Sequence, residues 1–255
     1  GKSPFIPVAD VLENAVFSMG LADVAPFETA KKVLGLPKTF PQGLMAMTGA
    51  AFVDEVSRDT PAPGGGSIAA LAGALGAALA SMVANLTQGK AQSPESEASL
   101  LEAARKAQTA KEALVLAVDE DTNAFNGYMD ARRLPNGTPA EKAARLAAMQ
   151  GGLKEAVAVP WSTAKACLAA MAASELAMHH GNPASITDTM VGFTIAFAGV
   201  RGGLWNVLIN LKDITDEAYC SDMKQQCDHL LREAEAILAR ATAHGTGRLE
   251  AMLVK

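Results

Sequence analysis

Apolar residues recur along most of the chain at helical spacings of three and four, and no segment alternates apolar and polar residues as a half-buried strand does. The pattern predicts an all-α protein, an orthogonal or up-down bundle of long helices. A short helix fits Val8 to Met19, with Gly20 as its stop. Pro26, Gly35, Pro37, Pro41 and Gly43 then mark an irregular connector. Residues 1–47 are too short for a core of their own and read as a linker-like segment, with the helical domain over 48–255. In that domain the spacing predicts helices over Ala50–Arg58, Ile68–Leu86, Leu100–Ala131, Ser185–Asp213 and Asp216–Ala243, with a polar loop at 88–97. A further helix starts at Thr138-Pro139-Ala140-Glu141, which supplies an N-cap, a first-turn Pro and the Glu of a capping box. It runs toward Ala177 with a kink expected at Pro160, and His180-Gly181-Asn182-Pro183 ends it.

Residues 68–86 carry no charge and approach the roughly 20 residues of a membrane-spanning helix. The run is mostly Ala, is interrupted by Gly73, Gly76, Ser81 and Asn85, and has no flanking Trp or Tyr. Such residues insert weakly, so a buried bundle helix is expected and no membrane partner.

Composition narrows the classes. A chain of 255 residues with 49% apolar and 19% charged residues is globular, not disordered. The net charge of −5 disfavours a general nucleic-acid binder. Cys167, Cys220 and Cys227 show no CxxC spacing, so neither a disulfide framework nor a zinc signature is expected. A reducing, cytoplasmic location follows as the simpler expectation. Gly1-Lys2-Ser3-Pro4 carries no apolar run of signal-peptide type, and the absence of an initial Met suggests a processed, truncated or tagged chain.

Three features carry candidate chemistry. Asp121 falls on the apolar stripe Leu114, Val118, Phe125 and Met129. A carboxylate there is costly unless paired, protonated or open to a cavity, so it is either a catalytic or cation-binding acid, or else half of a buried ion pair or an acid facing a solvated gap. A second stripe runs Asp188, Gly192, Ala196, Gly199, Gly203, Asn206 and Asn210. It is either a close helix contact or a slot for a flat ligand whose polar edge the two amides read; Asp188 also fits a capping box with Ser185. The third feature is Gly64-Gly65-Gly66-Ser67, a glycine turn feeding a helix start, where backbone N–H groups meet anions. It has neither P-loop spacing nor a preceding strand, and a plain tight turn is the alternative. His179, His180, His229 and His244 lack HxxxH or HExxH spacing, and no metal is expected.

Asp59-Thr60-Pro61-Ala62-Pro63-Gly64-Gly65-Gly66-Ser67 and the following Ala69-Ala70-Leu71-Ala72-Gly73-Ala74-Leu75-Gly76 closely resemble the hallmark of the C-terminal module of formiminotransferase-cyclodeaminases. That module is also the fold of a stand-alone methenyltetrahydrofolate cyclohydrolase. Asp121-x-x-Ala124-Phe125, Leu134-Pro135-Asn136-x-Thr138-Pro139, Val159-Pro160, Gly181-Asn182, Asp188 and Asn206-Val207-Leu208-Ile209-Asn210 extend the resemblance over about residues 50 to 245. It implies an all-helical homodimer or higher homo-oligomer with the folate site near the dimer interface. It implies catalytic positions at Asp121 and Asp188 and folate contacts at Gly64, Gly65, Gly66, Ser67, Asn206 and Asn210, with no cofactor. Where the family often has a Gly-Lys-Lys-Tyr-like run, this chain has Gly89-Lys90-Ala91-Gln92, and Lys90 is the expected contact to the folate tail.

Leu12 to Leu36, with Gly20-Leu21-x-Asp23-x-x-Pro26-Phe27, resembles the tail of a formiminotransferase module. That favours a cyclodeaminase of histidine and one-carbon metabolism, a lyase that turns 5-formiminotetrahydrofolate into 5,10-methenyltetrahydrofolate and ammonia. A formiminotransferase module or subunit is then the expected partner. A cyclohydrolase, a non-catalytic folate-binding subunit and a helical interaction protein are the alternatives.

Overall fold

A computed structural model describes residues 8–33 and 43–254. Gly35, Pro37 and Pro41 of the expected connector, and Gly1–Pro4, lie outside the described residues. Among those described there is no strand; the helices are α1 (Val8–Ser18), α2 (Thr29–Lys32), α3 (Gly49–Val56), α4 (Gly65–Thr87), α5 (Pro94–Arg132), α6 (Pro139–His180), α7 (Ile186–Leu211) and α8 (Glu217–Leu253). The short helix α2 falls inside the segment expected to be irregular. The backbone N–H groups of Leu44 and Met45 donate to the Asp119 carboxylate at 2.6 and 3.5 Å, which ties the segment before α3 to the bundle.

Local signals explain the helix ends. α1 stops where expected, with Gly20 at φ +62°. Thr138 and Glu141 form the predicted capping box of α6. α5 begins earlier than the apolar spacing predicts, because Ser93 accepts from the Ser96 N–H and Pro94 takes the first turn. The polar stretch read as a loop therefore contains a helix start. α8 is capped by Asp216 and runs on to Leu253 rather than stopping at Ala243. The Ser185–Asp188 capping box does not form: Ser185 makes no side-chain cap bond.

The five long helices alternate in direction. Ser67 bonds to Val118 and Ser81 to Gln108, so α4 and α5 are antiparallel. α6 returns along α5, and α7 runs against both α4 and α6: a Cβ built on Gly76 would meet Gly192 and Ala196, and one on Gly203 would meet Pro160 and Ala164. α8 lies on α6 and α7, with Arg240 bidentate to Glu175 at 3.1 Å. Alanine layers close one end of the bundle, among them Ala80 with Ala107 and Ala173, and Ala84 with Ala104 and Leu100. Larger side chains, including Leu114, Val118, Leu153, Val157 and Val207, fill the other end. α4, α6 and α7 are each long and apolar enough to cross a membrane, yet most of the apolar window of α4 is buried within this bundle.

Pro160 sits inside α6 without ending it. Its missing N–H frees the carbonyl of Ala156 one turn earlier, and that carbonyl accepts the Asn210 amide of α7 at 2.6 Å. The helix continues because a neighbouring helix supplies the lost donor.

Two predictions follow from this packing. Asn210→Ala leaves the Ala156 carbonyl unsatisfied and is expected to cost about 1–3 kcal/mol of unfolding free energy in urea titration. Gly76→Val drives a side chain into the α7 backbone and is expected to cost as much or more, whereas Gly151→Ala, at a helical site with nothing within 4 Å of the new Cβ, is expected to stabilise by about 0.5–1 kcal/mol.

Candidate active site

At the wide end of the bundle, the start of α4, the second half of α5, the first half of α6 and the last turns of α7 enclose a cleft of about 360 Å³. Pro61, Gly64, Gly65 and Gly66 form one wall, Asp121, Phe125, Tyr128 and Arg132 of α5 another. Asn206, Ile209 and Asn210 of α7, with Lys212 just past its end, close the third side.

The anion at the α4 helix start is Asp121 itself. Ser67 is the third helical residue, and its N–H, which has no intrahelical acceptor, donates to Asp121 Oδ2 at 3.1 Å. The Ser67 hydroxyl donates to the Val118 carbonyl at 2.8 Å and lies 3.5 Å from the same carboxylate oxygen. Asp121 has no ion pair among the described residues; it faces the cleft instead, as either a catalytic acid or an acid on a solvated gap would. Burial pushes the carboxyl above its ordinary range, and the two Ser67 bonds only partly oppose that rise. The result is a half-buried acid at a cleft wall, held in place by Ser67. Gly66 makes room for it, since a Cβ there would collide with the carboxylate.

The amides on α7 line the same cleft, each with one of its two N–H donors engaged. Asn206 Nδ2 donates to the Gly202 carbonyl at 2.8 Å and Asn210 Nδ2 to that of Ala156. Each keeps its second N–H and its Oδ1 without a hydrogen bond among the described residues.

Asp121, Gly64, Gly65, Gly66, Asn206 and Asn210 thus come together, with Ser67 behind Asp121. Lys90 and Asp188 do not join them. Asp188 lies in the first turn of α7, about 27 Å from Asn206 by helical rise, and has no hydrogen bond or ion pair among the described residues. Lys90 lies past the far end of α4, in a separate hollow with His180, Asn182 and Gln92. Within one copy, neither reaches a ligand held at Asp121. The Gly64–Ser67 start also offers less to a ligand carboxylate than expected, since Asp121 already takes the Ser67 N–H.

Three lining residues escaped the sequence reading. Tyr128 and Arg132 follow Asp121 and Phe125 on the same face of α5, at separations of seven and eleven, so the stripe was legible had it been followed to the helix end. Lys212 lies just past the end of α7, where periodicity carries no information.

Other reactive groups are poor candidates. Burial pushes the Cys167 thiol up to about 12 and Cys227 up to about 11, so neither is an available thiolate. His179 and His244 stack at 4.1 Å, and burial lowers the His179 pKa. Among the described residues no three His, Cys, Asp or Glu side chains gather as metal ligands.

The family model for formiminotransferase-cyclodeaminase matches residues 48–229. The formimidoyltransferase-cyclodeaminase of Gallus gallus is 39% identical over 227 residues, 88% of this chain and 42% of that protein. The chain thus spans less than half the length of such relatives. The methenyltetrahydrofolate cyclohydrolase of Methylorubrum extorquens is 38% identical over 189 residues, 74% of this chain and 91% of that protein. The crystal structure of formiminotetrahydrofolate cyclodeaminase from Thermotoga maritima superposes with a TM-score of 0.66 at 28% identity, covering 81% of this chain and 98% of that one. With the matched segment enclosing Gly64–Ser67, Asp121, Asn206 and Asn210, the chain belongs to the formiminotransferase-cyclodeaminase family.

Proposed function

We propose that this chain is a formimidoyltetrahydrofolate cyclodeaminase, converting 5-formiminotetrahydrofolate to 5,10-methenyltetrahydrofolate and ammonia. The observation that carries the reading is Asp121, a half-buried carboxyl with a raised pKa, set beside two side-chain amides in one cleft. N10 of the substrate attacks the formimino carbon, which is already electrophilic as an amidinium. The N10–H proton passes to the Asp121 carboxylate. The same group returns it to the departing nitrogen, which leaves as ammonia as the N5–C–N10 cation forms. Both nitrogens sit on one carbon, so one positioned acid serves both transfers, and its carboxylate also faces the positive charge of the product. The Oδ1 atoms of Asn206 and Asn210 accept from pterin N–H groups. No metal or organic cofactor is required.

Asp121→Asn is expected to retain folate binding and lose about 10²–10⁴-fold in kcat. Parent kcat/KM rises with pH along an acid limb whose pKa lies above the ordinary carboxylate value, and that limb vanishes in the variant. The sign for stability is opposite. A carboxyl whose folded pKa is raised contributes stability at low pH that is lost as pH rises through the folded value, so at pH 7 the variant should melt no lower than the parent. A variant turning over within threefold of the parent, or melting far below it, counts against the proton-shuttle role.

The second reading, a cyclohydrolase, is favoured by the near-complete coverage of the Methylorubrum relative. The likeness of residues 12–36 to a formiminotransferase tail supports the first. Expected is a kcat/KM for ammonia release from the formimino substrate at least about tenfold above that for methenyl hydrolysis, roughly 1.4 kcal/mol at the transition state. Equal or reversed values assign the cyclohydrolase.

A homodimer belongs to this reading, with a formiminotransferase as supplier of substrate. Ile68, Leu75, Met82 and Leu86 leave the outer face of α4 apolar and exposed along its length, as Val191, Trp205 and Ile209 do on α7. Ile209 also lines the cleft, so a second copy seated there borders the site. Sedimentation should show a dimer at assay concentration; an active monomer would exclude it.

A further inference from the structure

The face of α5 that begins at Asp121 orders its side chains along the cleft: acid, Phe125, Tyr128, then Arg132. These positions step by four, three and four, so they point the same way, and the stripe spans about 16 Å. Arg132 ends it with its guanidinium 6.0 Å from the Tyr128 ring centroid. Lys212 stands on the α7 side of the same opening. Nearby cations are engaged: Arg133 pairs with Asp130, Lys154 with Asp216, and Arg145 Nε donates to the Arg132 carbonyl. The two that line the cleft are not. Arg132 donates only to Met129 Sδ, at 3.9 Å, and Lys212 has no hydrogen bond or ion pair among the described residues, not even with its neighbour Asp213, which also lines the opening. Both cations follow helix C-termini, where the macrodipole favours them. That accounts for the charge but not for an Arg side chain laid on a cleft tyrosine without an anion.

The cleft is therefore polar at its two ends, with an acid inside, two aromatic rings along the middle and two cations at the mouth that make no ion pair among the described residues. We propose that Arg132 and Lys212 receive the carboxylates of the glutamate portion of the tetrahydrofolate, and so set substrate specificity at a point distant from the reacting carbon. This rests on the folate reading above. Pterin, aminobenzoyl ring and glutamate occur in the order that Asp121, Phe125 with Tyr128, and Arg132 with Lys212 present. The Arg fork offers up to five donors and the Lys ammonium three, enough for two carboxylates in a solvated mouth.

The test compares 5-formiminotetrahydrofolate as mono- and triglutamate with the formimino derivative of tetrahydropteroate, which lacks glutamate. The enzymes are the parent, Arg132→Gln, Arg132→Lys, Lys212→Gln and the double Gln variant. For glutamylated substrates each Gln substitution should raise KM about five- to tenfold, the double variant more, with the loss in KM rather than kcat. Arg132→Lys should recover part of it. Added salt should narrow the gap between parent and variants. With the tail-less substrate, parent and variants should agree within about twofold. If the parent turns over but the variants keep KM within twofold on glutamylated substrate, or lose equally on the tail-less one, the proposal falls and the function stands. If the parent neither binds nor turns over any tetrahydrofolate, the functional reading falls and takes the proposal with it.

Discussion

Everything that surrounds the cleft depends on how closely α4, α6 and α7 approach. The crossings are made where side chains are missing. A Cβ on Gly76 would stand 2.5 Å from the Gly192 carbonyl, and one on Gly199 would stand 2.7 Å from both the Ala69 carbonyl and the Cys167 sulfur. Helix axes this close leave backbone against backbone, which fixes the relative height of the helices more tightly than interlocking Leu side chains would. That height decides which residues share the open end. It brings Asn206 against Gly65, and it lets Asn210 reach the carbonyl that Pro160 frees on α6. The small-residue stripe of α7 is thus both a packing face and a cleft wall: the glycines bring the helix in, and the amides at its end line the cavity that results.

The start of α4 shows how a fold tunes an acid in two directions at once. A helix N-terminus ordinarily lowers the pKa of a nearby carboxylate, and the Ser67 N–H does so for Asp121. Burial works the other way and prevails. A carboxyl tuned only by the helix would be a fixed anion, and one tuned only by burial would be a fixed neutral acid. In Asp121 the two influences meet on one carboxyl, and the net direction is upward. Gly66 is part of this balance, because any side chain there would push the carboxylate off the helix start.

How much of this was legible follows from what periodicity can carry. The all-helical class and the capping box at Thr138 stand in the sequence because both are local. Asp121 was visible as a misplaced charge on an apolar stripe, though not its partner: the Ser67 N–H is a backbone group fifty-four residues away. The start of α5 was missed because Ser93-Pro94 lies in a polar stretch that gave no apolar spacing to follow. Lys90 and Asp188 were grouped with Asp121 by motif. Motifs carry no distance, and α4 alone separates its two ends by about 33 Å. Arg132 is hidden for the opposite reason: it continues the Asp121 face of α5 where the apolar pattern turns cationic.

Asn210 illustrates why a residue type alone does not assign a role. An amide ending a small-residue stripe suggests ligand recognition, and a proline inside a long helix suggests a break. Each suggestion is incomplete. Pro160 removes a donor, Asn210 supplies one from the facing helix, and the bond at 2.6 Å leaves the second N–H and the amide oxygen for the cleft that Asn210 lines. A site amide that must first complete a neighbouring helix is oriented before any ligand arrives, so binding does not have to order it. The proline thereby contributes to the site without touching it. By demanding a donor across the α6–α7 contact, it fixes which way the Asn210 amide faces.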